Sequence, residues 1–225
     1  MGVKKIQHWV VKTIYADHNS SRKVKNAIAS IFERVPEDYD GLNIGAGLSK
    51  VHPKIKTLEI EAGEGIDYVG SVEALPLDDN SLDLVVTQEV LEHVENPFKA
   101  MTEIARVLRP GAIAYIQMPF TIGYHGCPND YWRFTHQGME QLAKIANLEV
   151  EEIGKSVGPA VGFYRILVEF FAGLFSTPLH ILYKPLKLGA SILFYPIKWL
   201  DPLMRLSKES HRIPGGYFMI CRKPD

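Results

Sequence analysis

The chain has 225 residues, of which 46% are hydrophobic, and a formal net charge of −1. This is an ordinary composition for one large globular domain or for a domain with an appendage. The charge is uneven: residues 26–158 carry ten Lys/Arg against twenty-one Asp/Glu, whereas residues 1–25 carry six against one and residues 159–212 seven against three. An acidic body argues against a nucleic-acid groove, so we expect no nucleic-acid partner. The basic ends fit either an anionic membrane surface or ordinary solvated lysines beside helices.

Two cysteines, Cys127 and Cys221, are far apart and lack the spacing of metal ligands. Isolated cysteines are typical of a reduced compartment, and residues 1–15 contain no apolar run long enough for a secretory signal. We therefore expect a cytoplasmic location.

Taken in chain order, the apolar spacing predicts strands that alternate with helices. The predicted helices are residues 20–35, 96–108 and 135–147; the predicted strands are residues 41–45, 54–60, 66–71, 82–88, 112–119, 148–154 and 216–223. Pro97 is placed at a helix start, and the Arg-Pro-Gly at residues 109–111 ends the same helix. This alternation predicts an α/β layered sheet whose strands are mostly parallel.

The first strand runs into a Gly-x-Gly loop formed by Gly45 and Gly47. Glycines without Cβ atoms let a ligand approach the backbone closely. A dinucleotide-binding fold also needs a third glycine and a helix aimed at the pyrophosphate. Here Ser49 stands at the third position and Pro53 shortens the helix, so the loop favours a cofactor without a phosphate.

An acidic residue, Glu59, falls at the carboxyl end of the second predicted strand. A carboxylate there can accept hydrogen bonds from both hydroxyls of a ribose. Glu61 is the alternative, because strand ends are placed only to within about two residues.

Three further motifs occur in order: Glu-Ala-Leu-Pro-Leu at residues 73–77, Asp-x-Val followed by Leu-Glu-His-Val at residues 83–94, and Arg-Val-Leu-Arg-Pro-Gly at residues 106–111. Together they resemble class I S-adenosylmethionine-dependent methyltransferases, over residues 41–154. The short opening loop resembles a compact branch with Leu-Asn-x-Gly-x-Gly. The resemblance implies S-adenosylmethionine as cofactor and a Rossmann-like sheet of about seven strands flanked by helices, mostly parallel with the last strand antiparallel.

The resemblance also implies a cofactor site, made of Asn43, Gly45, Gly47, Glu59, Ile60, Ser71, Val72, Glu73 and Gln88. Glu59 would hold the ribose and Ile60 would lie against the adenine. Two positions depart from the family: Asn43 replaces an acid that meets the ammonium group, and Ser71 replaces an aspartate that meets the adenine amino group. The adenine contact then rests on the backbone of residues 72–73 or on the Glu73 side chain.

The loop after the fifth strand, residues 118–135, is rich in polar and aromatic side chains. It resembles loops of methyltransferases from cell-surface polysaccharide and lipid-linked sugar pathways. This implies His125 as a base or acceptor-orienting residue, with Asp130 and Arg133 positioning the substrate. Two alternatives stay open: His93 acts as the base, or Asp130 and Arg133 pair to shape the loop. We expect no metal site, because His125 and Asp130 alone do not make one.

Residues 159–206, between the sixth and the last strand, are apolar, basic and interrupted by prolines. A membrane-spanning helix is disfavoured because Glu169 lies within the longest apolar run. Short apolar helices with interspersed Lys and Arg favour an in-plane association with a membrane surface. A lid over the acceptor site and a homodimer interface are the alternatives.

These observations divide the chain into a basic amphipathic segment at residues 1–19, a methyltransferase domain at 20–158 and 213–225, and a helical insertion at 159–212. The leading hypothesis is O-methylation of a glycan or lipid-linked sugar at the cytoplasmic membrane face. Methylation of a quinone or another lipid is an alternative. A non-catalytic S-adenosylmethionine-binding or scaffold protein is the third hypothesis, suggested by Asn43 and Ser71.

Overall fold

The computed structural model describes residues 21–47, 50–177 and 179–225, so the predicted segment at residues 1–19 lies outside them. Seven strands form one sheet: β1 (Gly41–Ile44), β2 (Lys56–Glu59), β3 (Tyr68–Val69), β4 (Leu82–Gln88), β5 (Leu108–Pro119), β6 (Glu149–Val157) and β7 (Gly216–Arg222). The helices are α1 (Arg22–Phe32), α2 (Pro97–Val107), α3 (His136–Ile145), α4 (Pro159–Ser176), α5 (Tyr183–Phe194) and α6 (Asp201–Leu206), with short 3₁₀ turns at His180–Leu182, Tyr195–Leu200 and Lys208–His211.

The sheet has the strand order β3-β2-β1-β4-β5-β7-β6. Strands β1 to β5 pair in parallel. Strand β7 runs the other way: Phe120 at the end of β5 donates to Gly215 at the start of β7, and Lys223 after the end of β7 donates to Ala112. The predicted fold, a mostly parallel seven-stranded sheet with an antiparallel last strand and an apolar helix before it, is confirmed.

The predicted Pro97 helix start is confirmed, with the Asn96 side chain accepting the Lys99 N–H at 3.0 Å. The end of this helix differs from the prediction. Helix α2 stops at Val107, and the next residue, Leu108, already has extended backbone and pairs with Leu82. The Arg-Pro-Gly segment therefore belongs to β5. Its pairing with β4 is interrupted there, and the Gly111 N–H donates instead to the Lys223 carbonyl at 2.8 Å.

The interior of the sheet packs against α1. Val24, Ala27 and Ile31 of this helix are buried against Leu84 and Val86 of β4, among other residues of the sheet. The spacings of three, four and seven residues between these positions are what an amphipathic helix on a sheet requires. This packing holds the central strands whose carboxyl ends carry the predicted site.

Two compact units make up the chain. One is formed by residues 23–119, 125–154 and 217–225, and holds most of the sheet. The other includes residues 120–124 and 155–216, and is mainly helical.

Within the helical unit, α4 packs on α5. Tyr164, Val168 and Ala190 are buried together, and the Tyr164 hydroxyl donates to the Ser191 carbonyl at 3.1 Å. The first turn of α4 is held by Asp201, whose buried carboxylate accepts the Ala160 N–H at 3.1 Å. These contacts make the insertion a folded element with its own small core.

Helix α4 is, by its length and composition alone, long and apolar enough to cross a membrane, with a mean hydropathy of 1.3 over 18 residues, 44% of which is buried within the protein. Its Glu169 is paired with Lys187 and with the Tyr183 hydroxyl, both on α5. The acid that disfavoured a spanning helix is thus engaged in packing α4 against its neighbour.

Candidate functional site

The loop after β1 has the backbone that its glycines allow. Gly45 and Gly47 have φ angles of 65° and 57°, in the left-handed region that favours glycine. A Cβ atom on Gly47 would meet nothing within 4 Å, so the space beside it is open. The Gly47 N–H donates to Glu59 Oε1 at 2.6 Å. The loop and the end of β2 are therefore tied together around an accessible backbone.

The end of β2 fits a ribose and an adenine. Glu59 is half-buried, and among the described residues it is Gly47 that donates to its carboxylate, through one oxygen. Ile60, the next residue, is 69% exposed, so its apolar side chain is open to a ligand. A carboxylate that can accept from hydroxyls next to an open apolar side chain is what a nucleoside requires.

The two departures from the family lie in different surroundings. Asn43 is buried in the middle of β1, between Thr57 of β2 and Val86 of β4. The Ser71 hydroxyl accepts the Glu73 N–H at 3.1 Å and shapes the turn after β3.

Two ways to hold an adenine after β3 were predicted, through the backbone of residues 72–73 or through the Glu73 side chain. The Glu73 carboxylate accepts the Asn96 N–H at 2.5 Å, so this side chain is engaged at the start of α2. The Val72 side chain is buried in the core. Of the two predicted ways to hold the adenine here, the backbone of residues 72–73 is the one that these contacts favour.

A polar network joins the carboxyl end of β4 to β5. Gln88 Nε2 donates to Gln117 Oε1 at 3.3 Å, the Tyr115 hydroxyl donates to the same oxygen at 3.0 Å, and Gln117 Nε2 donates to Glu89 Oε1 at 3.0 Å. Glu89 has a φ of 57°, rare for a residue with a side chain and often found at functional sites. Sequence reasoning missed Gln117, although a glutamine inside an almost entirely apolar strand was a signal.

The loop after β5, predicted at residues 118–135, contains an ion pair between Asp130 and Arg133. Arg133 donates to both oxygens of Asp130, at 2.5 and 2.6 Å, and the His125 N–H donates to Asp130 at 2.8 Å. The hydrogen bonds from Arg133 hold the pKa of Asp130 at about 2. Trp132 donates from Nε1 to the Val94 carbonyl at 3.0 Å. The alternative in which Asp130 and Arg133 pair to shape the loop therefore describes their contacts.

The loop brings His125 to the segment after β4. His125 Nε2 lies 3.6 Å from Glu92 Oε1, and His93 Nε2 lies 3.5 Å from the same oxygen. Glu92 is fully buried, and burial raises the pKa of its carboxyl, an effect opposed mainly by His125. The three ligand atoms lie within 4.8 Å of one another, a spacing that could hold a metal ion. His93 and His125 are the two predicted candidates for the base, and Glu92 belongs to the second motif; their meeting at one oxygen was not predicted.

The motifs that carried the resemblance make structural contacts. Arg106 donates to the carbonyls of Leu77 and Leu75, at 2.8 and 3.0 Å, and so links the third motif to the first. Asp83 of the second motif accepts from Arg109 at 2.5 Å. These contacts within the fold explain why the three motifs occur at this spacing.

Residues 28–116, roughly two fifths of the chain, match a family described as "Methyltransferase domain". Over these residues the chain is similar to methyltransferase domains. It is 31% identical over 144 residues to the ubiquinone biosynthesis O-methyltransferase of Dechloromonas aromatica, covering 53% of this chain and 58% of that protein. For the first curated relatives that it matches, the chain spans 26% of their length or less.

Two solved structures illustrate how far the fold reaches. The phosphoethanolamine N-methyltransferase 2 of Haemonchus contortus in complex with S-adenosyl-L-methionine superposes with a TM-score of 0.55 at 17% identity, covering 96% of this chain and 56% of that chain. The [4+2]-cyclase SpnF superposes with a TM-score of 0.52 at 15% identity, covering 97% and 94%. At these identities the likeness concerns the fold alone, and the same fold accompanies different chemistry.

Proposed function

We propose that the protein is an S-adenosylmethionine-dependent methyltransferase that O-methylates a glycan or lipid-linked sugar at the cytoplasmic face of a membrane. The observation that carries the proposal is the pairing of Gly47 with Glu59 beside the exposed Ile60, within a domain that matches methyltransferases. When bound, the cofactor supplies a methyl group on a positively charged sulfur.

The residues of the chain then have separate tasks. Glu59 accepts from the ribose hydroxyls, and the backbone around Gly45 and Gly47 lets the methionine end approach. The acceptor must be held in line with the methyl group, and such orientation contributes roughly 7–11 kcal/mol to lowering the barrier. A hydroxyl acceptor must also lose a proton, for which the group of Glu92, His93 and His125 is available.

The helical unit supports an acceptor held near a membrane. Its exposed apolar side chains include Phe170, Leu174, Ile181, Leu193, Trp199, Leu203 and Leu206, each more than half exposed. Basic residues are interspersed among them: Lys198, for example, lies over the Tyr195 ring at 4.8 Å. Apolar and aromatic side chains mixed with lysines are typical of helices that lie in a membrane interface.

A quinone acceptor is the second candidate function. It is favoured by the relative named as a ubiquinone biosynthesis O-methyltransferase, which matches over 53% of this chain. A quinone precursor is also an apolar molecule with a hydroxyl group, so the exposed apolar side chains of the helical unit are suited to it as well. A non-catalytic cofactor-binding protein is the third candidate, because Asn43 and Ser71 replace acidic residues.

Cofactor binding is tested by calorimetry with S-adenosylhomocysteine. Glu59→Gln keeps the shape of the side chain but removes its charge, and a hydrogen bond to a charged group contributes about 1.5–3 kcal/mol. We expect a Kd that is roughly 10- to 100-fold higher than that of the wild type. Glu64→Gln, an exposed acid in the next loop, is the matched control and should bind normally.

Absence of binding by the wild type would overturn the proposal in all its enzymatic forms. If Glu61→Gln rather than Glu59→Gln loses affinity, the ribose is held by the other acid and only the residue assignment is wrong.

The acceptor class is tested by transfer of radiolabelled methyl groups to a membrane extract. Label on a lipid-linked sugar should partition into the organic phase and move to the aqueous phase after mild acid cleaves the sugar phosphate linkage. Label that remains organic after acid would favour the quinone or another lipid. Cofactor binding without transfer to any fraction would favour the non-catalytic candidate.

A further inference from the structure

Glu92 is a buried carboxylate without a hydrogen-bond donor. Its side chain has no exposed surface, and no described residue donates a hydrogen bond to either of its oxygens. A buried carboxylate in this state is costly unless a positive charge or a proton compensates it. The residue is nevertheless firmly placed, because its backbone carbonyl accepts the Tyr131 N–H at 2.7 Å.

The neutral His93 ring has no N–H group directed at this carboxylate, so it cannot donate a hydrogen bond to it. Its Nδ1 lies 2.6 Å from the Asn129 carbonyl, which can only accept, so Nδ1 carries the hydrogen. In the neutral ring Nε2 then presents a lone pair to Glu92 Oε1 at 3.5 Å. Two acceptors that face each other require a proton or a metal ion between them.

His125, in the loop after β5, approaches the same Oε1 atom of Glu92. Its Nε2 lies 3.6 Å from Glu92 Oε1, and its Nδ1 lies 3.4 Å from Asp130 Oδ2 and 3.2 Å from Arg133. Histidine ligands of metals commonly have the second ring nitrogen oriented by a carboxylate or a backbone carbonyl. The Asn129 carbonyl is in position to orient His93 in this way. Nδ1 of His125 accepts from Arg133, so it must exchange that donor for Asp130 when Nε2 binds an ion.

Two of the three distances between the ligand atoms can be compared with metal geometries. Zinc–nitrogen and zinc–oxygen bonds of about 2.0–2.1 Å place neighbouring tetrahedral ligands about 3.3–3.4 Å apart, whereas an octahedral ion would bring them to about 2.9 Å. The observed 3.5 and 3.6 Å are close to the tetrahedral value. We propose that Glu92, His93 and His125 bind one divalent transition-metal ion of the zinc class.

The three side chains leave one coordination position open. Glu92 is buried, whereas the His93 and His125 side chains are 14% and 35% exposed, so the open position lies on the side of the histidines. Three protein ligands with one open position are typical of a catalytic rather than a structural zinc site.

A consequence for the reaction rests on the proposed function. An acceptor hydroxyl that occupies the open position loses its proton to solvent more readily, because the cation stabilises the alkoxide. The alkoxide oxygen forms a bond to the methyl carbon, and the carbon–sulfur bond breaks with its electron pair going to sulfur. The products are the methyl ether, S-adenosylhomocysteine and one proton, and His125 acts as a ligand.

The test is metal binding in the absence of cofactor and acceptor, so that it does not depend on methyl transfer. The full chain, stripped with a chelator, is titrated with zinc chloride in the calorimeter. We expect one ion per chain for the wild type and at least about 100-fold weaker binding for Glu92→Gln, His93→Ala and His125→Ala, because outer-shell changes alone cost roughly 10- to 100-fold. His211→Ala and Cys127→Ser, both exposed, should bind as the wild type does.

Cobalt provides a readout of geometry that needs no variant. Tetrahedral Co²⁺ in the wild type should give intense visible absorption that zinc displaces. Wild-type zinc binding no tighter than that of Glu92→Gln, or cobalt bands typical of six ligands, would overturn the proposal and would leave a shared proton as the link between Glu92 and the histidines. Normal S-adenosylhomocysteine binding by Glu92→Gln shows that this variant is folded.

Discussion

At the scale of single residues, the predicted site residues divide into those that present open groups and those that are already engaged. Gly47, Glu59 and Ile60 form an accessible edge. Asp130 and Arg133 bind each other through two hydrogen bonds and so hold the loop that carries His125. Because a bidentate ion pair fixes two side chains at once, it holds the loop in one conformation.

Gly47→Ala tests whether the first loop meets the cofactor. The φ of 57° makes any side chain here strained by about 1–2 kcal/mol, although the space beside it is open. Gly65→Ala is a matched control, with a φ of 77° and equally open surroundings. We expect both variants to lose similar stability in urea unfolding, but only Gly47→Ala to lose affinity for S-adenosylhomocysteine in calorimetry. Equal affinities in the two variants would contradict the assignment of this loop.

At the scale of elements, side chains of α2 hold the turn formed by the first motif, residues 73–77. The turn at residues 73–77 is fixed to α2 from both sides: Glu103 accepts the Leu75 N–H at 2.8 Å, and Arg106 donates to two carbonyls. The predicted strand at residues 66–71 is shortened to Tyr68–Val69 in the structure. Asp67 just before it is bonded to Thr57, and Ser71 just after it turns back to Ala74.

Arg106→Lys tests this link. Lysine is a point charge and cannot reproduce the planar fork that reaches Leu75, Leu77 and Glu103 together. We expect a loss of about 1–3 kcal/mol in the free energy of unfolding measured with urea. Arg34→Lys, which changes a surface ion pair with Glu151, should cost less than about 1 kcal/mol. An equal decrease in the free energy of unfolding for the two variants would show that Arg106 does not stabilise the turn.

The same variant has a predicted pH dependence. The hydrogen bond from Arg106 lowers the pKa of Glu103, so the pair stabilises the fold above the unfolded carboxyl value of about 4.3 and stops doing so as the pH falls through the lower folded value. The difference in stability between wild type and Arg106→Lys should therefore shrink as the pH is lowered below about 4. A difference that stays constant with pH would indicate that the carbonyl contacts alone carry the effect.

At the scale of the whole molecule, the chain combines an acidic part, residues 26–158, with a basic helical part, residues 159–212. The insertion has its own small core around Tyr164 and Val168, yet it exposes many large apolar side chains. Contiguous exposed apolar surface in a folded protein commonly marks an interaction site. The proposed membrane surface explains both the apolar side chains and the excess of Lys and Arg in the same residues.

Vesicle flotation tests the membrane proposal. Ile181→Ser, Trp199→Ser and Leu206→Ser together change residues that are 82%, 72% and 81% exposed, so the fold should be retained. We expect the wild type to float with anionic vesicles, and the triple variant to bind roughly 100-fold more weakly, because each side chain contributes about 1 kcal/mol or more at an interface. Val69→Ser with Ile145→Ser, both about half exposed in the sheet unit, is the control. Flotation of the triple variant at the wild-type level would favour the lid or homodimer alternatives.

The sequence by itself determined the sheet, the order of its elements and the glycine loop with its acidic partner. These features are local: apolar periodicity, turn residues and short motif spacings are written in neighbouring positions. Glu59 could be singled out because it stands at a strand end, and the predicted fold follows from strands alternating with helices. That Gly47 and Glu59 lie at the ends of neighbouring strands was predictable for the same reason.

Only the tertiary structure decided which side chains surround Glu92. Glu92 and His125 are separated by more than thirty positions, and nothing in the sequence states that their side chains meet at one oxygen. Likewise, the Glu73 side chain that could have met an adenine is taken by the start of α2. Such meetings depend on how β4, α2 and the loop after β5 pack in three dimensions, and packing is set by the shape of the whole core rather than by local pattern.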